Sequence, residues 1–250
     1  MNKNLVKKEK STEIKVSVIA PFFNESTNLP TLNERLLKIL RKFNDYEIIY
    51  VNDGSTDTSS DIVKQFCKVD NKIKLISFSR NFGQQAAYTA GINNISFDIA
   101  VLIDSDLQDP PELINDFVKK IKEGYNVVYA IRKNRKENFI KKTAYNIFYR
   151  SLNNIANIKI PIDAGEFGAF DKKIINSFRN LSEQNKYIPG LRSWIGFKQI
   201  GIEYNRDSRF SGKPKYNYFS LLKLAYDGII SFSFFPLKIA SYLGFIITFF

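Results

Sequence analysis

The sequence predicts an α/β fold: a mostly parallel sheet with flanking helices, then an amphipathic helix and the start of a membrane-spanning one. Three observations predict it. Continuous apolar runs of strand length, of which Ile99 to Ile103 is the clearest, alternate with stretches whose apolar residues recur at helical spacing. Runs of that kind suit strands buried on both faces of a parallel sheet. Several runs end at a carboxylate, and the carboxyl ends of strands are where ligands bind in open α/β sheets. Finally, from Gly228 onward the chain turns apolar and aromatic, with Lys238 as its only charge.

The first run, Ile14 to Ala20, reads as a strand that ends at Pro21-Phe22-Phe23-Asn24-Glu25-Ser26. Leu29, Leu32, Leu36, Leu37 and Leu40 then mark a helix. Asn24 and Glu25 are either turn and surface residues or part of a loop that frames a nucleobase and ribose. Tyr46 to Val51 is the second strand and runs into Asn52-Asp53-Gly54-Ser55-Thr56-Asp57. Gly54 permits a tight turn, and Ser55, Thr56 or Asp57 can cap the next helix. Asp53 can accept hydrogen bonds from a base or a ribose hydroxyl. Ile73 to Ser77 is the third strand, followed by Ser79-Arg80-Asn81-Phe82-Gly83 and a helix from about Gln84 to Asn93. Arg80 is either a surface arginine or a ligand of a diphosphate, for which its fork of donors is suited.

The fourth strand, Ile99 to Ile103, leads into Asp104-Ser105-Asp106-Leu107-Gln108-Asp109-Pro110-Pro111-Glu112. Asp104 and Asp106 are two apart, so in extended backbone they leave the same face. Hard oxygen ligands with no Cys or His nearby suit Mg²⁺ or Mn²⁺ rather than zinc. Asp109 can cap the following helix, with Pro110 at its first position and Glu112 completing a capping box. An isolated pair of aspartates is usually a solvated turn. This pair gains weight from the polar residues at the other strand ends.

Tyr125 to Ile131 is the fifth strand, and a basic cluster follows it: Arg132, Lys133, Arg135, Lys136, Lys141 and Lys142. A helix is expected from Asn138 to Asn153. Ile160 to Phe167 reads as a loop that returns Asp163 and Glu166, before a short helix from Asp171 to Phe178. Tyr187 to Trp194 reads as a helix and Phe197 to Tyr204 as a last strand. A second basic cluster holds Arg206, Arg209, Lys213 and Lys215. Asn217 to Ile230 is amphipathic, with Phe219, Leu222, Tyr226 and Ile229 on one face, and fits either an interfacial helix or a core helix. Ile239 to Phe250 carries no charge. It is shorter than the roughly 20 residues a span needs, and is expected to be the first part of a membrane helix. Lysines before it place the main domain on the cytoplasmic side.

Composition narrows the chemistry. The chain has 250 residues and a formal net charge of +12, which calls for an anionic partner. Its one cysteine, Cys67, excludes an internal disulfide and is expected in the core. There is no histidine, so histidine metal sites and Ser-His-Asp or Cys-His nucleophiles are excluded, and any general base must be another group. Residues 1–11 read as a loose tail rather than a secretory signal.

The motifs from Pro21 to Glu25, Tyr50 to Asp57 and Asp104 to Glu112 resemble the family 2 glycosyltransferases of the GT-A fold, a Rossmann-like architecture. Ser79 to Gly83 and Arg206 to Tyr216 are similar to the polyprenyl-phosphate branch. That branch includes dolichol-phosphate mannose synthase and the bacterial undecaprenyl-phosphate glucosyl and aminoarabinosyl transferases. The resemblance implies a catalytic domain over 12–216, a juxtamembrane helix over 217–231 and a truncated transmembrane segment over 232–250. It implies inverting transfer of a sugar from a UDP- or GDP-sugar to a polyprenyl phosphate, at the cytoplasmic face of a bacterial inner membrane.

The implied catalytic residues are Asp104, Asp106, Asp163 and Glu166. The donor would be held by Pro21, Phe23, Asn24, Glu25, Asp53, Arg80, Asp104 and Gln108. Mg²⁺ or Mn²⁺ would sit on Asp106 and Asp104. The acceptor phosphate would meet Arg132, Arg135, Lys142, Arg206, Arg209 and Lys215. The partners are then a nucleotide-sugar, a lipid phosphate and the membrane, with no nucleic acid, and a homo-oligomer is left open. Two departures stand out: Gly165-Glu166-Phe167-Gly168 replaces the family's usual Gly-Asp-Phe-Arg, and Pro214-Lys215-Tyr216 its Ser-Lys-Tyr. Two other readings are a family 2 enzyme that extends a polysaccharide, and a basic membrane-tethered binding protein. The second leaves the carboxylate-bearing strand ends unexplained.

Overall fold

The computed structural model describes residues 14–133, 164–181, 187–205 and 235–249. The tail, the expected helices over 138–153 and 217–230, and Asp163, Arg135, Lys142, Arg206, Arg209 and Lys215 lie outside the described residues.

Seven strands form one sheet: β1 Lys15–Phe22, β2 Asp45–Asn52, β3 Ile73–Ser77, β4 Ile99–Leu102, β5 Val127–Lys133, β6 Ala164–Asp171 and β7 Gln199–Asn205. Their order is β3-β2-β1-β4-β6-β5-β7. Every adjacent pair is parallel except the two that involve β6, which runs against β4 and β5. The strand order reverses between β1 and β4, and a ligand crevice in such a sheet lies just outside the strand ends at that reversal. Because β6 is antiparallel, its amino end comes to the same edge as the carboxyl ends of its neighbours. This corrects the expected loop over Ile160 to Phe167: residues from Ala164 onward are strand. Ala164, Gly165, Gly168 and Ala169 give that strand few of the branched side chains by which strands are read from sequence.

Helices α1 Leu29–Leu40, α2 Ser59–Val69 and α4 Ile114–Lys122 contribute to one core. Helices α3 Gln84–Asn93, α5 Lys172–Asn180 and α6 Ile188–Ile195 contribute to the other. The leucine spacing of α1 buries Leu29, Leu32, Leu36 and Leu40 completely. Each such side chain contributes roughly 1.5–3 kcal/mol relative to exposure. Val16, Val18 and Ala20 face the first core while Ile19 faces the second, so β1 is covered on both sides. Cys67 is half-buried at the margin of the first core.

The expected capping box before α4 is absent. A 3₁₀ turn, Pro111–Leu113, precedes the helix, and neither end is capped by a side chain. Glu112 instead meets Arg35 of α1 through a paired contact of 3.1 and 2.6 Å, and Asp109 turns inward. A final helix, α7 Phe235–Phe249, has 15 residues, and Tyr242, Phe245, Ile247 and Phe249 on it are exposed. Among the described residues no helix is long and apolar enough to cross a membrane.

Candidate active site

The carboxylate loop leaves the end of β4, where Ile103 N–H still bonds to Ile19 C=O at 3.1 Å. Ser105 Oγ donates to Pro21 C=O at 2.7 Å and ties the loop to the end of β1. Leu107 has φ 62°, in the left-handed region, at a cost on the order of 1–3 kcal/mol. That turn lets Gln108 N–H return to Asp106 Oδ1 at 3.1 Å. Asp106 is 7 % exposed.

Asp104 points at the first turns of α3. Its Oδ1 accepts from Gln84 Nε2 at 2.5 Å and from the Tyr88 hydroxyl at 2.6 Å. Burial, followed by the nearby carboxylates of Asp109, Glu166 and Asp106, raises its pKa well above the carboxylate range, against the opposing pull of the Tyr88 hydrogen bond. Glu166, near the amino end of β6, accepts from Gln85 Nε2 at 2.9 Å. The same amide's oxygen accepts from Ile188 N–H at the start of α6, also at 2.9 Å. One turn of α3 therefore holds Asp104 with Gln84 and Tyr88, and Glu166 with Gln85. The i, i+4 spacing of Gln84 and Tyr88 is the sequence signal that marks them as neighbours on one helix face.

Asp109 is 1 % exposed and accepts from the hydroxyl of Tyr204 on β7. Arg132, near the end of β5, is the register partner of that Tyr204 on the neighbouring strand. Burial would lower the pKa of Arg132, but Asp109, Tyr204 and Asp104 outweigh it and hold the guanidinium charged. Arg132, which the resemblance assigns to the acceptor phosphate, stands beside the carboxylate loop.

On the other side of the reversal, Asp53 is 4 % exposed. Its carboxylate receives Phe82 N–H at 2.7 Å and Gly83 N–H at 3.0 Å, across the entry to α3. Burial raises its pKa, while these two bonds work against the rise. Gly54, at φ 72°, has Arg80 C only 2.4 Å from where a Cβ would lie. Arg80 is exposed, and its guanidinium lies 4.1 Å from the centre of the Phe82 ring. Asn24, at φ 52°, accepts from Thr56 N–H at 2.8 Å and Asp57 N–H at 3.3 Å, which fastens the loop after β1 to the loop after β2. Glu25 is buried, and its carbonyl receives Asn28 and Leu29 N–H at the start of α1. Phe23 and Gln108 are half-buried beside these loops, and Pro21 is buried at the end of β1.

Thus Asp104, Asp106, Glu166 and Arg132 converge at the ends of β4, β5 and β6, with Asp53, Asn24, Glu25 and Arg80 on the loops after β1, β2 and β3. Asp109, Tyr204, Gln84, Gln85 and Tyr88 also belong to the site and were not expected there. Among the described residues no three acidic, cysteine or histidine groups form a ready-made metal cage. The donor set fits a divalent cation that takes its remaining ligands from water and a diphosphate: two oxygen ligands in a region of unbalanced negative charge. A separate groove of about 620 Å³, lined by Ile14, Lys15, Ser96, Phe97, Asp98, Ile99 and Lys122, lies at the opposite, amino ends of β1 and β4. It contains none of these groups.

Residues 17–179 match the model of the family described as glycosyl transferase family 2. A Bacillus subtilis (strain 168) protein named uncharacterized glycosyltransferase YkcC is 45% identical over 240 residues, 95% of this chain and 74% of its own length. A bactoprenol glucosyl transferase of Shigella phage SfV is 34% identical over 237 residues, 92% of this chain and 76% of that one. The structure of glucosyl-3-phosphoglycerate synthase from Mycobacterium tuberculosis, in complex with Mn²⁺, UDP and phosphoglyceric acid, superposes with a TM-score of 0.62. That match has 17% identity and covers 86% of this chain and 76% of that one, a likeness of fold. The match runs from β1 to α5 and includes the carboxylate loop, and the chain belongs to glycosyl transferase family 2.

Proposed function

We propose that the enzyme moves one sugar from a UDP- or GDP-sugar to the phosphate of a membrane polyprenol, with inversion at the anomeric carbon, at the cytoplasmic face of the membrane. The observation that carries this reading is the convergence of Asp104, Asp106 and Glu166 with the guanidinium of Arg132 at one edge of the sheet. The name of the bactoprenol glucosyl transferase relative supports the lipid acceptor. So does the apolar, exposed α7.

In the reaction the bond from the anomeric carbon to the nucleoside diphosphate breaks, and a bond to an acceptor phosphate oxygen forms on the opposite face. A divalent cation, Mg²⁺ or Mn²⁺, supplies positive charge to the departing diphosphate when held by Asp106 with Asp104 beside it. Gln84 and Tyr88 hold the Asp104 carboxylate in place. The loops carrying Pro21, Phe23, Asn24, Glu25 and Asp53 hold the nucleoside, with Arg80 and Gln108 near the diphosphate. The acceptor phosphate is already anionic, so it needs holding more than deprotonation. Arg132 and the basic segments after β5 and β7 do this by charge-assisted hydrogen bonds, and Glu166 orients the acceptor.

The test incubates membranes carrying the protein with labelled UDP- and GDP-sugars and undecaprenyl phosphate, with and without Mn²⁺. Label entering the lipid fraction from one donor is the expected result. Label entering only a soluble saccharide would contradict the lipid acceptor and favour polysaccharide extension.

A further inference from the structure

Glu166 stands on an irregular stretch of β6. Tyr129 of β5 pairs with Gly168 and Ile131 with Ala164, so Gly165, Glu166 and Phe167 all stand opposite Ala130. A bulge of this kind re-aims a side chain and interrupts the ladder of hydrogen bonds. Helix α6 supplies a grip from outside the sheet. Arg192, fully buried on α6, donates from Nη1 to Gly165 C=O at 3.1 Å, and its guanidinium lies 4.5 Å from the centre of the Tyr129 ring. At the other end of α6, Ile188 N–H donates to Gln85 Oε1 at 2.9 Å. Gln85 Nε2 in turn donates to Glu166 Oε1, also at 2.9 Å. The amide has one orientation open to it: its oxygen receives Ile188 N–H, so its nitrogen faces the carboxylate. Helices α3 and α6 and strand β6 thus close a ring of hydrogen bonds around Glu166.

We propose that Gln85 is a positioning residue for Glu166: anchored by the start of α6, its amide fixes the orientation of the Glu166 carboxylate for sugar transfer. The inference rests on the proposed role of Glu166 in that reaction. Glutamate stands at 166 where aspartate is usual in the family, and the longer side chain has one more rotatable bond to immobilise. A bulged backbone cannot do this alone, and the amide does it from the neighbouring helix. The residue type at 85 matters. A glutamate there still accepts from Ile188 N–H but turns an oxygen on the Glu166 carboxylate, and a leucine loses both bonds.

The experiment measures sugar transfer to undecaprenyl phosphate in membranes, and urea unfolding of the purified proteins. The variants are Gln85→Glu, Gln85→Leu, Glu166→Gln and the double variant Gln85→Glu with Glu166→Gln. In Gln85→Glu and Gln85→Leu, kcat is expected to fall at least about tenfold, with KM for the nucleotide-sugar changed less than about twofold. Glu166→Gln lowers kcat at least as far. The double variant exchanges carboxylate and amide at unchanged net charge: an amide at 166 donates to a carboxylate at 85, which still accepts from Ile188 N–H. Its urea midpoint therefore returns toward wild type from the lower value of Gln85→Glu, while its kcat stays within about twofold of Glu166→Gln. Stability regained without activity is the mark of a residue that acts through Glu166. Gln85→Leu brings no like charge and supplies the single loss where Gln85→Glu is too unstable to assay. Wild-type kcat in Gln85→Leu, or full multiplication of the two single losses in the double variant, would overturn the inference and leave the functional reading intact. Wild-type kcat in Glu166→Gln would overturn it by removing the role it rests on. A wild type that transfers no sugar to lipid phosphate would overturn the functional reading, and this inference with it.

Discussion

Tyr88 donates its hydroxyl to Asp104 Oδ1 at 2.6 Å, joining helix α3 to the end of β4. Tyr88 is fully buried, so the hydroxyl has been taken from water for this contact. Replacing it with phenylalanine keeps the ring and removes a bond that favours the ionised carboxylate. Tyr88→Phe is expected to weaken Mn²⁺ binding about tenfold and to lower stability by about 1–2 kcal/mol. Metal titration and urea unfolding check the two effects separately.

Gly54 gives a sharper structural test. An alanine methyl there would meet the backbone of Arg80 and Asn81 at 2.4 and 2.6 Å, and backbone cannot move aside as a side-chain tip can. Gly124, at φ 88°, has nothing within 4 Å and serves as the control. Gly124→Ala is expected to cost about 1 kcal/mol, the ordinary cost of a left-handed alanine. Gly54→Ala is expected to cost at least about 3 kcal/mol. It should also weaken nucleotide binding, because the displaced segment carries the Phe82 and Gly83 N–H groups bound by Asp53. Calorimetry and nucleotide titration measure both.

Glu47 controls acid stability from the far end of the sheet. Its carboxylate is 3 % exposed; it accepts from Ser17 Oγ at 2.6 Å, Ser96 N–H at 2.5 Å and Lys74 Nζ at 2.6 Å. Burial would raise its pKa, but Lys74, Ser17 and Ser96 together hold it below the ordinary value of 4.5. A folded pKa below the unfolded one stabilises above the unfolded value, and that stability is lost as pH falls through the folded value. Glu47→Gln is therefore expected to cost about 2 kcal/mol at pH 7, with the difference from wild type shrinking below about pH 4.5. Urea unfolding across that range reads it.

Strand ends were legible because a buried parallel strand writes itself as an apolar run that stops at its first polar residues: Asp104 and Arg132 directly follow such runs, and Asp53 follows one by a single asparagine. Asp109 was not. Locally it fits a helix cap, and only the fold brings it to Tyr204, 95 residues away. Gln84 and Gln85 read as the start of a helix; that they serve Asp104 and Glu166 depends on how α3 crosses the sheet. Glu166 was placed in the site by its motif but in a loop, because a strand of small residues between two others carries no periodic signal. Asp53 was read as a ligand for a nucleoside hydroxyl. Its carboxylate also organises the chain, through the N–H groups that open α3.

The central claim is that the acidic ends of neighbouring strands act together on one cation and one nucleotide. Electron paramagnetic resonance of Mn²⁺, titrated into the wild type and Asp106→Asn with UDP or GDP present, tests it most directly. The account expects the wild type to bind Mn²⁺ together with one of the two nucleotides, and Asp106→Asn to lose at least about tenfold in metal affinity while keeping its fold. Equal Mn²⁺ binding by both proteins would contradict it.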